Sequence, residues 1–348
     1  MESGEHRRLR DWLATRGATP EDMVSAEAEG RLSRMASDLV LTKGAKLTTR
    51  DLAARAGIEP KEVVDLFGRF GISVPDVDAP MFTEADAVLA AGFCQSAMHN
   101  VDAGDLPRVV AAAMDRIAEA AVALYVQGPE LEVRRSGADA VRLAEKAALA
   151  TGAALDLGNG LGVLFRHHMR QAIARQRQIT EGVHRRELAR LAIGFVDLVG
   201  STTIEAGLDV SELAAMVSRF EARAFEVTAA GGGRLVKFIG DEIMVAALDP
   251  LAGCRIISSL VAAFDADGLR PRAGLVYGEV LYRHGDYYGP VVNLAARLVD
   301  EAIPDEVLVD RSVVGALGEA GGPVFEPAGR RLLKGFDEPV AVWSLIQP

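Results

Sequence analysis

The texture of the chain changes at about Ala192, and no other feature constrains its fold as much. Before that point the sequence carries no strand signal. Segments such as Asp105–Gln127 and Asp139–Ala150 are long, Ala-rich and amphipathic, the pattern of helices. After it, short β-type runs alternate with helix candidates. LAIGFVDLV reads as a strand, Ser211–Ala230 as a helix stopped by Gly231-Gly232-Gly233, and RLVKFIGDEIMVAAL as two strands joined at Gly240-Asp241. Pro250–Asp265 is helical, RAGLVYGEVLYR extended and Val291–Asp300 helical, while EVLVD and PVAVWSLI close the chain as strands. The β-α-β-β-α-β order is that of a ferredoxin-like split βαβ unit. The expected fold is α+β, an all-helical N-terminal domain (residues 1–160) and a mixed C-terminal domain (191–348) joined by a basic helical linker (161–190).

With 348 residues, the chain is long enough to bury two cores without staples. Cys94 and Cys254 are its only cysteines, which excludes a disulfide framework and suits a reducing, cytoplasmic setting. The formal charge of -11 argues against a nucleic-acid polymer or an anionic membrane as partner. No apolar run approaches the roughly 18 residues of a membrane span. The linker runs against this acidic balance: Arg166–Arg190 holds seven arginines against Glu181 and Glu187, together with His167, His168 and His184.

Two carboxylates stand out. Asp197 follows a strand in GFVDLVGST and Asp241 sits on the hairpin turn of KFIGDEI, so a rigid sheet can aim both at one point. Hard carboxylate oxygens suit Mg²⁺ or Mn²⁺, and a pair can hold two ions. The Gly and Ser/Thr residues after Asp197 leave backbone N–H groups for phosphates. Taken singly, Asp197 reads equally as a turn cap and Asp241 as a favoured hairpin residue.

In combination FVDLVGST, KFIGDE and GDYYGPVVNLAARL, followed by LKGFDEPVAVWSL, resemble class III nucleotide cyclases over about Leu191–Leu345. The resemblance implies a homodimer with head-to-tail shared sites, ATP as substrate, and cyclic AMP and pyrophosphate as products. Asp197 and Asp241 would bind two Mg²⁺ or Mn²⁺ ions. One ion would activate the ribose 3′-hydroxyl and the other hold the β- and γ-phosphates. Lys237 and Asp286 would read adenine, Asn293 would orient the ribose, and Arg297 would stabilise the pentavalent phosphate. Lysine donates to adenine N1 and aspartate accepts from its 6-amino group, whereas guanine reverses both demands. Asn293 and Arg297, four apart, share one helix face.

Two rivals are a diguanylate cyclase-like enzyme, whose GGDEF-like turn IGDEI matches in part, and a non-catalytic nucleotide-sensing or DNA-binding regulator. Leu47–Ile72 resembles a helix-turn-helix, but Glu59, Glu62 and Asp65 on its second helix are poor phosphate chemistry. His99 stands alone and reads as structural. The whole arrangement resembles actinobacterial soluble adenylate cyclases with an N-terminal regulatory, autoinhibitory domain, some of them acid-responsive. The matching switch stretch is Phe165–Arg170, which holds His167 and His168, and histidine is the side chain type that changes charge between pH 5 and 8. The family also makes a lipid ligand of the N-terminal half conceivable.

Overall fold

A computed structural model describes residues 4–98, 106–126, 137, 139–180, 188–200, 207–266, 268–318 and 322–347. By contacts the chain divides into two units, Met1–Met169 and Arg170–Pro348.

Among its described residues the first unit is helical, with one isolated bridge between Leu47 and Phe82. Its helices are α1 (Gly4–Ala14), α2 (Pro20–Ala28), α3 (Met35–Leu41), α4 (Thr49–Ala56), α5 (Pro60–Arg69), α6 (Glu84–Met98), α7 (Leu106–Tyr125) and the start of α8 (Ala140–Thr180). Leu9, Leu13, Met23 and Met35 pack with Ala144 of α8 in one core. Leu52, Val63, Phe67 and Phe82 form a second. The helix-turn-helix stretch is α4 and α5. A reciprocal Thr48–Asp51 capping box starts α4, and Gly57, in the left-handed region, ends it. Glu62 accepts the Glu59 N–H at the start of α5, so its charge serves the helix end. An apolar cavity of about 710 Å³ lies between α3, α7 and α8, lined by residues such as Leu41, Ile117, Val122 and Leu161, with Arg34 and Thr151 among its few polar groups.

The 161–190 linker is not a separate element as far as Thr180. Residues 140–180 form one helix of 41 residues, which carries three glycines in five residues, Gly158, Gly160 and Gly162. Residues 181–187, with Glu181, His184 and Glu187, lie outside the described residues, as do His99 and the Ser201–Thr203 stretch expected near phosphates. One expectation is corrected here. Ala140–Arg177 contains an 18-residue window of mean hydropathy 1.3, long and apolar enough by length and composition to cross a membrane. The run is not unbroken, because Asp156 and Asn159 interrupt it, but its alanines, leucines and valines outweigh them on average.

The second unit is built on one eight-stranded sheet. Its elements are β1 (Leu188–Leu198), α9 (Val210–Ala230), β2 (Arg234–Ile239), β3 (Glu242–Ala247), α10 (Pro250–Ala266), β4 (Pro271–Arg283), β5 (Asp286–Tyr288), α11 (Pro290–Glu301), β6 (Val307–Asp310), α12 (Arg311–Leu317), β7 (Val324–Arg331) and β8 (Val340–Gln347). The order is β2-β3-β1-β4-β6-β8-β7, with β5 paired to β4. Its first four strands have the ferredoxin-like order. β1 starts three residues earlier than its sequence signal, because Leu188–Arg190 pair with the far half of β4. The central strands are buried on both faces, so apolar residues run almost continuously along β1. Val196, Val245 and Leu275 meet Phe220 and Phe264 of α9 and α10 on one face. Ile193, Phe195, Met244 and Val276 meet Ala295, Leu298 and Val299 of α11 on the other. Here α11 sits directly on the β4 backbone. A Cβ on Gly274 would lie 2.5 Å from the Ala295 carbonyl oxygen and 2.7 Å from the Val299 nitrogen.

Candidate active site

Strand alternation decides which side chains share the α11 face of the sheet. Asp197 follows Ile193 and Phe195 on that face, Glu242 precedes Met244, and Arg272 precedes Gly274 and Val276. Asp197 and Arg272 are direct cross-strand partners of β1 and β4. Arg272 donates through Nε at 2.8 Å and Nη2 at 2.6 Å to Asp197 Oδ2. Its Nη1 reaches the Asp300 carbonyl at the end of α11, at 2.9 Å. Asp300 in turn accepts from Arg297 through its carboxylate at 2.9 Å. One line of contacts therefore runs from Asp197 through Arg272 and Asp300 to Arg297.

Asp241 sits on the β2–β3 turn after Gly240, whose φ of 66° suits a glycine. Beside it, Glu242 is pushed up to about 7 by burial, then by the charges of Asp197, Asp300 and Asp241; Arg272 pulls the other way. Negative charge is thus crowded at this corner beyond what one arginine balances. That is the electrostatic setting in which a divalent cation binds, and the donors are hard oxygens. Among the described residues no group of three or more His, Cys, Asp or Glu is arranged around one point. The carboxylates of Asp197 and Asp241 are of the type Mg²⁺ or Mn²⁺ takes, and an ion held by them would leave its other positions to water and phosphate oxygens.

The two purine-reading candidates meet each other. Lys237 of β2 donates to Asp286 Oδ2 of β5 at 2.5 Å. The other Asp286 oxygen accepts the Tyr287 N–H at 2.8 Å. The ammonium keeps further donors and the carboxylate further lone pairs, so the pair presents a donor and an acceptor side by side. Asn293 is exposed on α11, one turn before the half-buried Arg297, on the side away from Ala295 and Leu298. His167 and His168 are exposed on α8.

Sequence reasoning missed Glu242, Arg272 and Asp300. Glu242 was within reach, standing next to Asp241. Arg272 and Asp300 needed the β1–β4 register and the docking of α11, which no local pattern gives.

No family model matches the chain. It is 34% identical over 357 aligned positions to an uncharacterized protein of Mycobacterium tuberculosis, covering 97% of this chain and 89% of the relative. It is 28% identical over 343 positions to a pH-sensitive adenylate cyclase of the same species, covering 95% of this chain and 85% of that one. An adenylate cyclase of Glutamicibacter nicotianae is 46% identical over 132 positions, covering 37% of this chain and 32% of the relative. Among solved structures, the adenylyl cyclase CyaB of P. aeruginosa aligns with 47% of this chain and 96% of its own, at 22% identity and a TM-score of 0.41. The chain belongs to the class III adenylate cyclase family, with a class III catalytic domain in its C-terminal half and a helical region before it. Members of that family are phosphorus–oxygen lyases.

Proposed function

We propose that this chain converts ATP to 3′,5′-cyclic AMP and pyrophosphate at sites shared between two copies. The observation that carries this reading is the Lys237–Asp286 pair, a donor beside an acceptor, the two types adenine requires, with Lys237 on the same sheet face as the Asp197 corner. Asp197 and Asp241 would hold two Mg²⁺ or Mn²⁺ ions, whose charge favours the 3′-alkoxide and offsets the triphosphate. Arg272 keeps Asp197 oriented and supplies a permanent positive charge beside it. Lys237 and Asp286 set the purine, and guanine would face two mismatched, half-buried groups. Asn293 orients the ribose, and Arg297 meets charge developing on the α-phosphate. Asn293 lies exposed on α11, which suits a role in a site completed by a second copy.

The test is direct. Purified protein with Mn²⁺ should form cyclic AMP from ATP and far less cyclic GMP from GTP. Absence of cyclic AMP from both the full chain and a form starting at about residue 185 would refute the reading.

The helical half is proposed to regulate the catalytic half, with His167 and His168 as the proton-sensing groups. Both rings are exposed on α8, and the 28% relative is named for its pH sensitivity. Changing both to Asn should flatten the part of the pH–activity profile that the truncated form lacks. An unmoved profile would remove the histidines from the switch. A lipid ligand of the regulatory half would find its place in the apolar cavity between α3, α7 and α8.

A further inference from the structure

β2 contains an irregularity that brings a second basic residue to the purine-reading pair. Its register against β3 runs Arg234↔Ala246 and Leu235↔Val245, then jumps to Lys237↔Met244, leaving Val236 as an extra residue. In a regular strand, residues three apart point to opposite faces. The bulge cancels that, since Ala246 and Met244 share a face and so do their partners Arg234 and Lys237.

Both side chains then reach one turn. Lys237 pairs with Asp286, and Arg234 Nη2 donates to the carbonyl of Gly285. The Arg234 guanidinium also lies over the ring of the buried Tyr287, 5.4 Å from its centroid. Tyr287 packs against Tyr282 across the β4–β5 hairpin. The turn needs this support. His284 and Gly285 both have positive φ, 53° and 80°, and the non-glycine one is held there at a cost. β5 has only three residues and pairs with β4 alone. In the sheet, β3 and β1 separate β2 from β4. Among the described residues no backbone pairing joins β2 to β5, so side chains must fix the distance between Lys237 and Asp286.

We propose that Arg234 is a positioning residue for purine discrimination, fixing the β4–β5 turn so that Asp286 presents its carboxylate at a set place beside Lys237. The proposal rests on the ATP-cyclase reading of the site. Arg234 need not touch the nucleotide. Its planar fork can bond the Gly285 carbonyl while it stacks on Tyr287, a combination lysine does not reproduce.

The experiment compares full-length wild type, Arg234→Met and Arg234→Lys in Mn²⁺-supported turnover of ATP and of GTP, with thermal unfolding alongside. Arg234→Met should raise KM for ATP about tenfold, move kcat much less, and lower the ATP:GTP ratio of kcat/KM about tenfold, the size of one charge-assisted hydrogen bond. Arg234→Lys should restore KM only in part. A merely structural role would lower the active fraction, and so kcat on both nucleotides alike, leaving KM and the ratio in place. Should Arg234→Met fail to fold, Arg234→Lys with an unchanged KM and ratio overturns the proposal. Wild type active on ATP with both variants unchanged overturns it alone. Wild type inactive on both nucleotides overturns the cyclase reading and this proposal with it.

Discussion

Glu242 shows how a single carboxyl reports the chemistry of its corner. Its value of about 7 lies above the ordinary 4.5, owing first to burial and then to Asp197, Asp300 and Asp241. Below about 4.5 it is protonated whether the chain is folded or not. As pH rises from there towards 7, the unfolded chain releases the proton first, so the folded state binds more protons and stability falls. The contribution is fully present below about 4.5 and lost as pH passes about 7. In metal-free buffer, Glu242→Gln should therefore melt higher than wild type at pH 8 and approach it at pH 4.5. Parallel melting curves across that range would contradict the crowding described for the corner. At this scale the sequence was informative where a residue's chemistry is local. Asp197 and Asp241 stand out by their place at strand ends, whereas Lys237 and Asp286 were picked out only by the resemblance to class III cyclases. The ion pair between the last two, 49 residues apart, depends on a bulge at Val236 that no composition rule marks.

At the scale of elements, most of the catalytic unit was legible. The helix expected over Ser211–Ala230 spans Val210–Ala230, capped by Asp209, which accepts from the Ser211 and Glu212 amides. The hairpin at Gly240-Asp241 joins β2 and β3 as expected. β5 was not legible, because three residues carry too little pattern to separate a strand from a turn. Nor was the full length of α8, since its glycines weaken the helical signal that begins at Asp139. The seat of α11 follows from glycines at β4. A Cβ on Gly274 would meet Ala295 O, Val299 N and Leu298 Cβ within 2.8 Å, and one on Gly278 would meet Val291 Cγ2 at 2.8 Å. The Gly274 neighbours are backbone and Cβ atoms, so the helix itself has to move. Gly274→Ala should destabilise the unit by about 1–3 kcal/mol. It should also lower kcat by displacing Asn293 and Arg297 together. Denaturant unfolding and steady-state kinetics on the same preparation check both. An unchanged kcat in a folded variant would mean that α11 tolerates the shift.

For the whole molecule, shared sites make a prediction that no single chain can mimic. Asp197→Ala and Arg297→Ala homodimers would each have two defective sites. In a mixed dimer both lesions fall in one site and leave the other intact. With random exchange about half the dimers are mixed, so activity should recover to about a quarter of wild type. Recovery that never exceeds the sum of the separate variants would refute site sharing.

The glycines of α8 bear on how the two halves can influence each other. A 41-residue helix is about 60 Å long and carries force only while its hydrogen-bond ladder is whole. Gly158, Gly160 and Gly162 each weaken the interior by roughly 0.5–1 kcal/mol relative to alanine, and open space surrounds all three. Opening there would leave residues 163–180 as a piece little longer than the shortest helices that persist unaided. That piece is almost wholly exposed where its side chains are described, so little packing would keep it wound. The segment holding Phe165–Arg170 would then melt as a block. A break at the glycines would therefore release some eighteen residues beyond it for a small free energy spent at one point.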